Sequence, residues 1–221
     1  MKEIVLDTET TGISVKDGHR IVEIGCIELE NLIPTKNKFH FYLNPERKVS
    51  EQALKVHGYS DEFLSKQIKF SEIVEEFLEF IKDKRLIIHN AEFDLSHLNN
   101  ELKLLGKDKI KNEIVDTLIL ARNKYPGSQV SLDALCKKFR IDNSKRVTHT
   151  ALIDCDLLTK VYINLIDQKE PKLNFQSDNL QNKNNNNLNI SYFKKVIKPS
   201  NEELKKHNEY LKQTLKKNFF N

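Results

Sequence analysis

The apolar positions of the chain change period in an order that sets out an α/β domain. Residues 3–8, 21–29 and 37–43 are rich in Ile, Val, Phe and Tyr at strand-like length. The first holds the unbroken run Ile4-Val5-Leu6, which suits a central strand covered on both faces. A polar turn segment with Gly12 and Gly18 separates the first two, and Asn44-Pro45 ends the third. The pattern then turns helical, with Ile73, Val74, Phe77, Leu78 and Ile81 on one face. Leu86–His89 reads as a short strand, and Leu95, Leu98, Leu102 and Leu105 mark a helix closed by Gly106. Residues 113–116 fit a last short strand, and two further helices fit near 131–139 and 150–166. Strands first, then alternating helices and strands, predict an α/β domain around a mixed sheet.

The composition shifts after Gln168. Asn, Gln and Ser dominate residues 176–189, with Asn184 to Asn187 in a row, too polar to build a core. This predicts a domain over 1–167, a flexible linker over 168–189 and a C-terminal segment over 190–221. In that segment Ser200-Asn201-Glu202-Glu203, directly after Pro199, has the spacing of a capping box. Leu204, Leu211 and Leu215 make only a narrow apolar stripe behind it, so the helix needs a partner.

The 221 residues are 38% apolar and 31% charged, a soluble and rather polar protein. No apolar run approaches the ~20 residues of a membrane span, and the N-terminus enters a strand with no signal pattern. The three cysteines, Cys26, Cys136 and Cys155, sit among apolar residues, which predicts buried thiols and a cytoplasmic setting. The net charge is +4, but Ile190 to Asn221 holds eight Lys against three Glu, so everything before it sums to −1. A near-neutral domain does not by itself argue for a nucleic-acid groove.

The candidate chemistry lies in three segments. Asp7-Thr8-Glu9-Thr10-Thr11-Gly12 closes the first strand, and alternation puts Asp7 and Glu9 on one side. Two carboxylates that close repel unless a hard cation such as Mg²⁺ or Mn²⁺ neutralises them. Taken alone, an acidic strand-to-loop turn is the commoner explanation. His89-Asn90-Ala91-Glu92-Phe93-Asp94 opens a helix, where Asp94 could equally serve the helix dipole. Arg146 to Asp154 opens the last core helix. His149 and Asp154, about 140° apart on a helix, converge only if His149 lies in the loop before it.

Together these segments resemble the DEDDh group of 3′→5′ exonucleases, matching at Asp7, Glu9, Asp94, His149 and Asp154. Val56-His57-Gly58-Tyr59-Ser60-Asp61, Ser131-Leu132-Asp133-Ala134-Leu135-Cys136 and Ile141 to Arg146 are similar to the proofreading, epsilon-type branch of that family. The resemblance spans about residues 2–165 and resumes weakly near 196–217.

It implies a ribonuclease H-like fold with a central five-stranded mixed sheet flanked by helices. It further implies two divalent cations, Mg²⁺ or Mn²⁺, held by Asp7, Glu9, Asp94 and Asp154, with Asp94 helping through a water. His149 would be the general base and 5′-monophosphates the product. Asp7, Glu9, Thr10, Gln52, Val56, His57, Phe93 and Asp154 are the candidate contacts to DNA 3′ ends. Gln52 departs from the family, which often has an acid there.

The implied partners are the polymerase catalytic (alpha) subunit, through the C-terminal segment, and a small third core subunit. Glu170-Pro171-Lys172-Leu173-Asn174-Phe175 resembles a sliding-clamp peptide with Glu170 in place of Gln, or is a plain helix-to-linker transition. The competing expectations are a stand-alone RNA-trimming DEDDh exoribonuclease and a non-catalytic polymerase accessory subunit.

Overall fold

The computed structural model describes residues 2–144, 146, 148–166 and 199–214, with side chains to Leu211. They fall into two units, one up to Ile166 and one from Pro199. The expected linker and the Glu170–Phe175 motif lie outside the described residues.

In the first unit a five-stranded sheet has the order β3-β2-β1-β4-β5. β1 (Lys2–Thr10), β2 (Ile21–Glu30) and β3 (Ile33–Tyr42) form an antiparallel meander. β4 (Arg85–Ile88) and β5 (Ile114–Asp116) add to β1 in parallel, giving the mixed sheet expected. β3 begins earlier than its apolar pattern: Ile33–Lys38 is largely exposed and carries Pro34, which a sheet tolerates at an edge.

Alternation along β1 divides the core. Ile4 and Leu6 pack with Phe39, Phe77, Leu98 and Leu102 on one face, under α3 (Phe70–Ile81) and α4 (Ala91–Leu104). Val5 packs with Ile27, Leu135, Cys155 and Leu158 on the other, under α6 (Leu132–Phe139) and α7 (Ala151–Leu165). The three cysteines are buried and free.

Three helices and a 3₁₀ turn at Val15–Asp17 had no signature in the apolar pattern. α1 (Glu51–His57) buries only Ala53 and His57; Ser50 caps its start and Gly58, at φ 80°, ends it. α2 (Asp61–Ser65) is a single turn capped by Ser60. α5 (Thr117–Lys124) is nucleated by Asp116, whose carboxylate accepts from Leu118 and Ile119 N–H. Its apolar run, Leu118-Ile119-Leu120-Ala121, is continuous rather than periodic.

In the second unit α8 (Asn201–Thr214) starts with the expected box. Glu203 Oε2 accepts from Ser200 N–H at 2.8 Å, and Ser200 Oγ accepts from Glu203 N–H at 3.3 Å. Leu204 and Tyr210 stay exposed at 44% and 57%. Among the described residues no helix is long and apolar enough to cross a membrane.

Candidate active site

Asp7 and Glu9 are in phase with Val5, so they face α7, and both keep some exposed surface between buried neighbours. Thr8, out of phase, looks to the opposite face. There its backbone N–H and its hydroxyl both donate to Asp94 Oδ1, at 2.9 and 2.7 Å. Asp94 sits in the first turn of α4, 3% exposed. The start of that helix is fixed by Asp116, which accepts from Asn90 and Ala91 N–H at 3.2 and 2.9 Å. One strand therefore presents two carboxylates and anchors a third.

The fourth arrives on α7, where Asp154 is 4% exposed. His149 lies in the loop before that helix, as its spacing from Asp154 demands. Its backbone N–H donates to the Val56 carbonyl of α1 at 3.2 Å, and its Nδ1 is 3.5 Å from Asp154 Oδ2. Ligating atoms of Glu9, His149 and Asp154 all lie within 4.8 Å of one another. Asp7 and Asp94 stand outside that tightest set but close enough to perturb it electrostatically.

Burial, then the charges of Asp94, Glu9 and Asp154, push Asp7 well above the carboxylate range. Burial, then Asp154, Glu23 and Asp94, raise Glu9 to about 8, against an opposing pull from Arg146. Burial raises Asp94 to about 7, opposed by the Thr8 hydrogen bonds. Asp154 moves the other way: burial would raise it, but the His149 and Arg146 side chains beside it outweigh that. Four carboxyl groups sharing too little positive charge, all oxygen donors, suit hard divalent cations. The side chain that balances part of this charge is Arg146, whose Nε and Nη2 donate to the two Asp154 oxygens at 2.6 and 2.7 Å.

A cleft of about 520 Å³ opens beside Glu9, lined by Thr10, Gln52, Val56, His57 and Phe93. Every expected substrate contact thus borders one cavity or the carboxylate cluster. His57 Nδ1 accepts from Tyr59 N–H at 3.0 Å, which puts the ring proton on Nε2. That Nε2 is buried beside the Thr10 backbone without a hydrogen bond of good geometry, so it could turn to a ligand acceptor. Burial lowers the pKa of this ring and keeps it neutral.

Ile13, Ser14 and His19 also line the cleft, and the sequence offered only a polar turn there. Gly12 lets the His19 ring pack against that turn, since a Cβ would fall 2.3 Å from the ring and displace it. Glu23 was missed as well; its one signal is a lone carboxylate inside the apolar run Ile21-Val22-Glu23-Ile24.

A mixed sheet that gathers four carboxylates and a histidine beside a cleft defines the exonuclease class, and the Exonuclease (RNase_T) family model matches residues 4–162. DNA polymerase III subunit epsilon of Rickettsia felis is 46% identical over 226 residues, covering 98% of each chain. The same subunit of Salmonella typhimurium is 46% identical over 170 residues, covering 73% of this chain and 70% of its own. The chain belongs to the family of DNA polymerase III epsilon subunits. Its fold matches exonuclease X in complex with 5′ overhanging duplex DNA, with a TM-score of 0.60 at 22% identity over 75% of this chain and 92% of the other. It also matches the nuclease domain of 3′hExo, a DEDDh family member bound to rAMP, with a TM-score of 0.65 at 18% identity over 76% and 92%.

Proposed function

We propose that the chain removes 3′-terminal nucleotides from DNA as the proofreading exonuclease of a replicative polymerase. The observation that carries this reading is the convergence of Asp7, Glu9, Asp94, Asp154 and His149, from three stretches of chain, at the edge of one cleft. Asp7, Glu9, Asp94 and Asp154 hold two divalent cations, Mg²⁺ or Mn²⁺. Such ions, when bound, activate water and stabilise the charge that builds on phosphorus.

The other steps belong to side chains. His57 donates from Nε2 to an oxygen of the terminal nucleotide. Thr10, Val56 and Phe93 pack on its sugar and base, and Gln52 borders them at the rim. Thr10 keeps its hydroxyl on the Gly12 carbonyl, 2.8 Å away, so it presents its methyl group. Contacts of this kind tolerate any base. Selection for mismatched ends then follows from the lower cost of unpairing them. His149 takes the proton of the attacking water. With the proton of the neutral ring on Nε2, its free lone pair is on Nδ1, where Arg146 Nη2 now donates at 2.9 Å. That contact must open before Nδ1 can accept a proton.

The domain over 1–167 would be tethered by the 168–189 linker to a docking segment over 190–221, which binds the polymerase alpha subunit through α8. The exposure of Leu204, the first residue of the expected apolar stripe, supports an unfilled partner face. A tether raises local concentration without a larger interface. A small third core subunit and the sliding clamp are further partners, and the cytoplasm is the setting. The test compares degradation of a 3′-mismatched DNA and a short RNA by the full-length protein. Preference for the DNA is expected; faster digestion of RNA would point instead to an RNA-trimming exoribonuclease.

A further inference from the structure

Glu23 is a buried carboxylate that this mechanism leaves without a task. It is fully buried, at 0% exposure, near the start of β2. Its Oε1 accepts from His40 Nε2 at 2.7 Å. Its Oε2 accepts from the Tyr59 hydroxyl at 2.8 Å and from Ala151 N–H at 2.9 Å. These donors come from β3, from the loop after α1 and from the first residue of α7.

The register of β1 and β2 gives the arrangement its meaning. Glu23 is the cross-strand partner of Glu9, and Gly25 is the partner of Asp7. Gly25 lets the α7 backbone lie directly on the sheet, since a Cβ there would stand 2.7 Å from the Ala151 carbonyl carbon. The N-cap residue, Thr150, makes no side-chain capping bond, and the first N–H of α7 is satisfied by Glu23. The two β2 positions opposite the two β1 carboxylates therefore seat the helical turn that carries Asp154 and follows His149.

We propose that Glu23 is a positioning residue: it fixes the start of α7 so that Asp154 and His149 meet Glu9. Tyr59 and His40 hold the carboxylate in the orientation that reaches Ala151. The inference rests on the exonuclease reading of the site. A displacement of about 1 Å in such a constellation costs roughly 100-fold in rate.

The test uses full-length Glu23→Ala, Glu23→Gln and Tyr59→Phe. It measures melting temperature, Mn²⁺ binding by calorimetry, and kcat and KM on 3′-mismatched DNA. Glu23→Ala is expected to weaken Mn²⁺ binding and lower kcat about 100-fold, while KM holds because the cleft lining is untouched. Glu23→Gln keeps an acceptor for Ala151 N–H and should recover most of both losses. Tyr59→Phe should fall between the two.

The proposal is overturned if Glu23→Ala keeps wild-type kcat and Mn²⁺ affinity. It is also overturned if Glu23→Gln is no better than Glu23→Ala and both change only the melting temperature. Should Glu23→Ala fail to fold, wild-type kcat and Mn²⁺ affinity in Tyr59→Phe overturn it equally. Failure of the exonuclease reading looks different, because the wild-type protein itself would then neither bind Mn²⁺ nor shorten 3′ ends.

Discussion

Arg146 spans both oxygens of Asp154, at 2.6 and 2.7 Å, and so brings a positive charge into the carboxylate cluster. The same guanidinium reaches Asp133 Oδ2 at 2.7 Å, and only 7% of the side chain is exposed. Removing one partner of a buried ion pair costs about 3 kcal/mol, and Arg146→Ala is expected to lose that much. Mn²⁺ should restore more stability to this variant than to the wild type, because the ion replaces the missing cation. Urea denaturation with chelator and with Mn²⁺ measures both effects; equal Mn²⁺ stabilisation of the two proteins would refute the replacement.

The raised carboxyl groups give the metal-free protein an unusual pH profile. Glu9 titrates at about 8 and Asp94 at about 7, against ordinary values of 4.5 and 3.8. A carboxyl whose pKa rises on folding favours the folded state when protonated. Its contribution is therefore full below the ordinary value and is lost as pH climbs through 7 and 8. Asp154, with a lowered pKa, acts in the opposite sense at the acid end. Each raised unit is worth about 1.4 kcal/mol, so stability in chelator should fall by several kcal/mol between about pH 5 and pH 9. Divalent ions should flatten that slope. A chelated protein equally stable across the range would contradict the shared-charge description of the site.

Gly25→Ala tests the seat of α7 by steric means alone. The new Cβ would stand 2.7 Å from the Ala151 carbonyl carbon and 2.8 Å from Leu152 N, both backbone atoms that cannot turn aside. Overpacking of this kind costs roughly 1–3 kcal/mol. Melting temperature and kcat should fall together, with KM nearly unchanged. Wild-type kcat in this variant would mean that the position of α7 does not matter for turnover.

His149→Gln would remove the proposed base while leaving the four carboxylates in place. The expected loss is about 100- to 10,000-fold in kcat, with Mn²⁺ binding retained. Asp7→Ala should lower both, and hydrolysis by roughly three orders of magnitude, equivalent to about 4 kcal/mol. Neither change touches α8, so capture of the polymerase subunit should persist in both variants. A pull-down shows whether it does.

The strands were readable because each carries a local signal, and the five motif residues stood out only when their three segments were taken together. Ile4-Val5-Leu6 is a buried strand by its own composition, and Asp7 with Glu9 is an acidic pair two residues apart. Ile73, Val74, Phe77 and Ile81, all buried, marked α3. α1, by contrast, buries only Ala53 and His57, and its existence depends on the caps at Ser50 and Gly58.

The support around the site was less legible, because its partners are far apart in the chain. Glu23 meets residues 17, 36 and 128 positions away, and no spacing rule joins them. Arg146 stood in a quoted motif, yet its pairing with Asp154 depends on how the loop folds back on α7. Ile13 and His19 reach the cleft only through the turn at Gly12.

The most direct measurement is an anomalous difference map from crystals soaked in Mn²⁺. Two peaks about 3.5–4 Å apart, within coordination distance of Asp7, Glu9, Asp94 and Asp154, are the expected result. A map with no peak beside Asp7 and Glu9, from a protein that still shortens DNA from its 3′ end, would contradict the carboxylate cluster as the seat of catalysis.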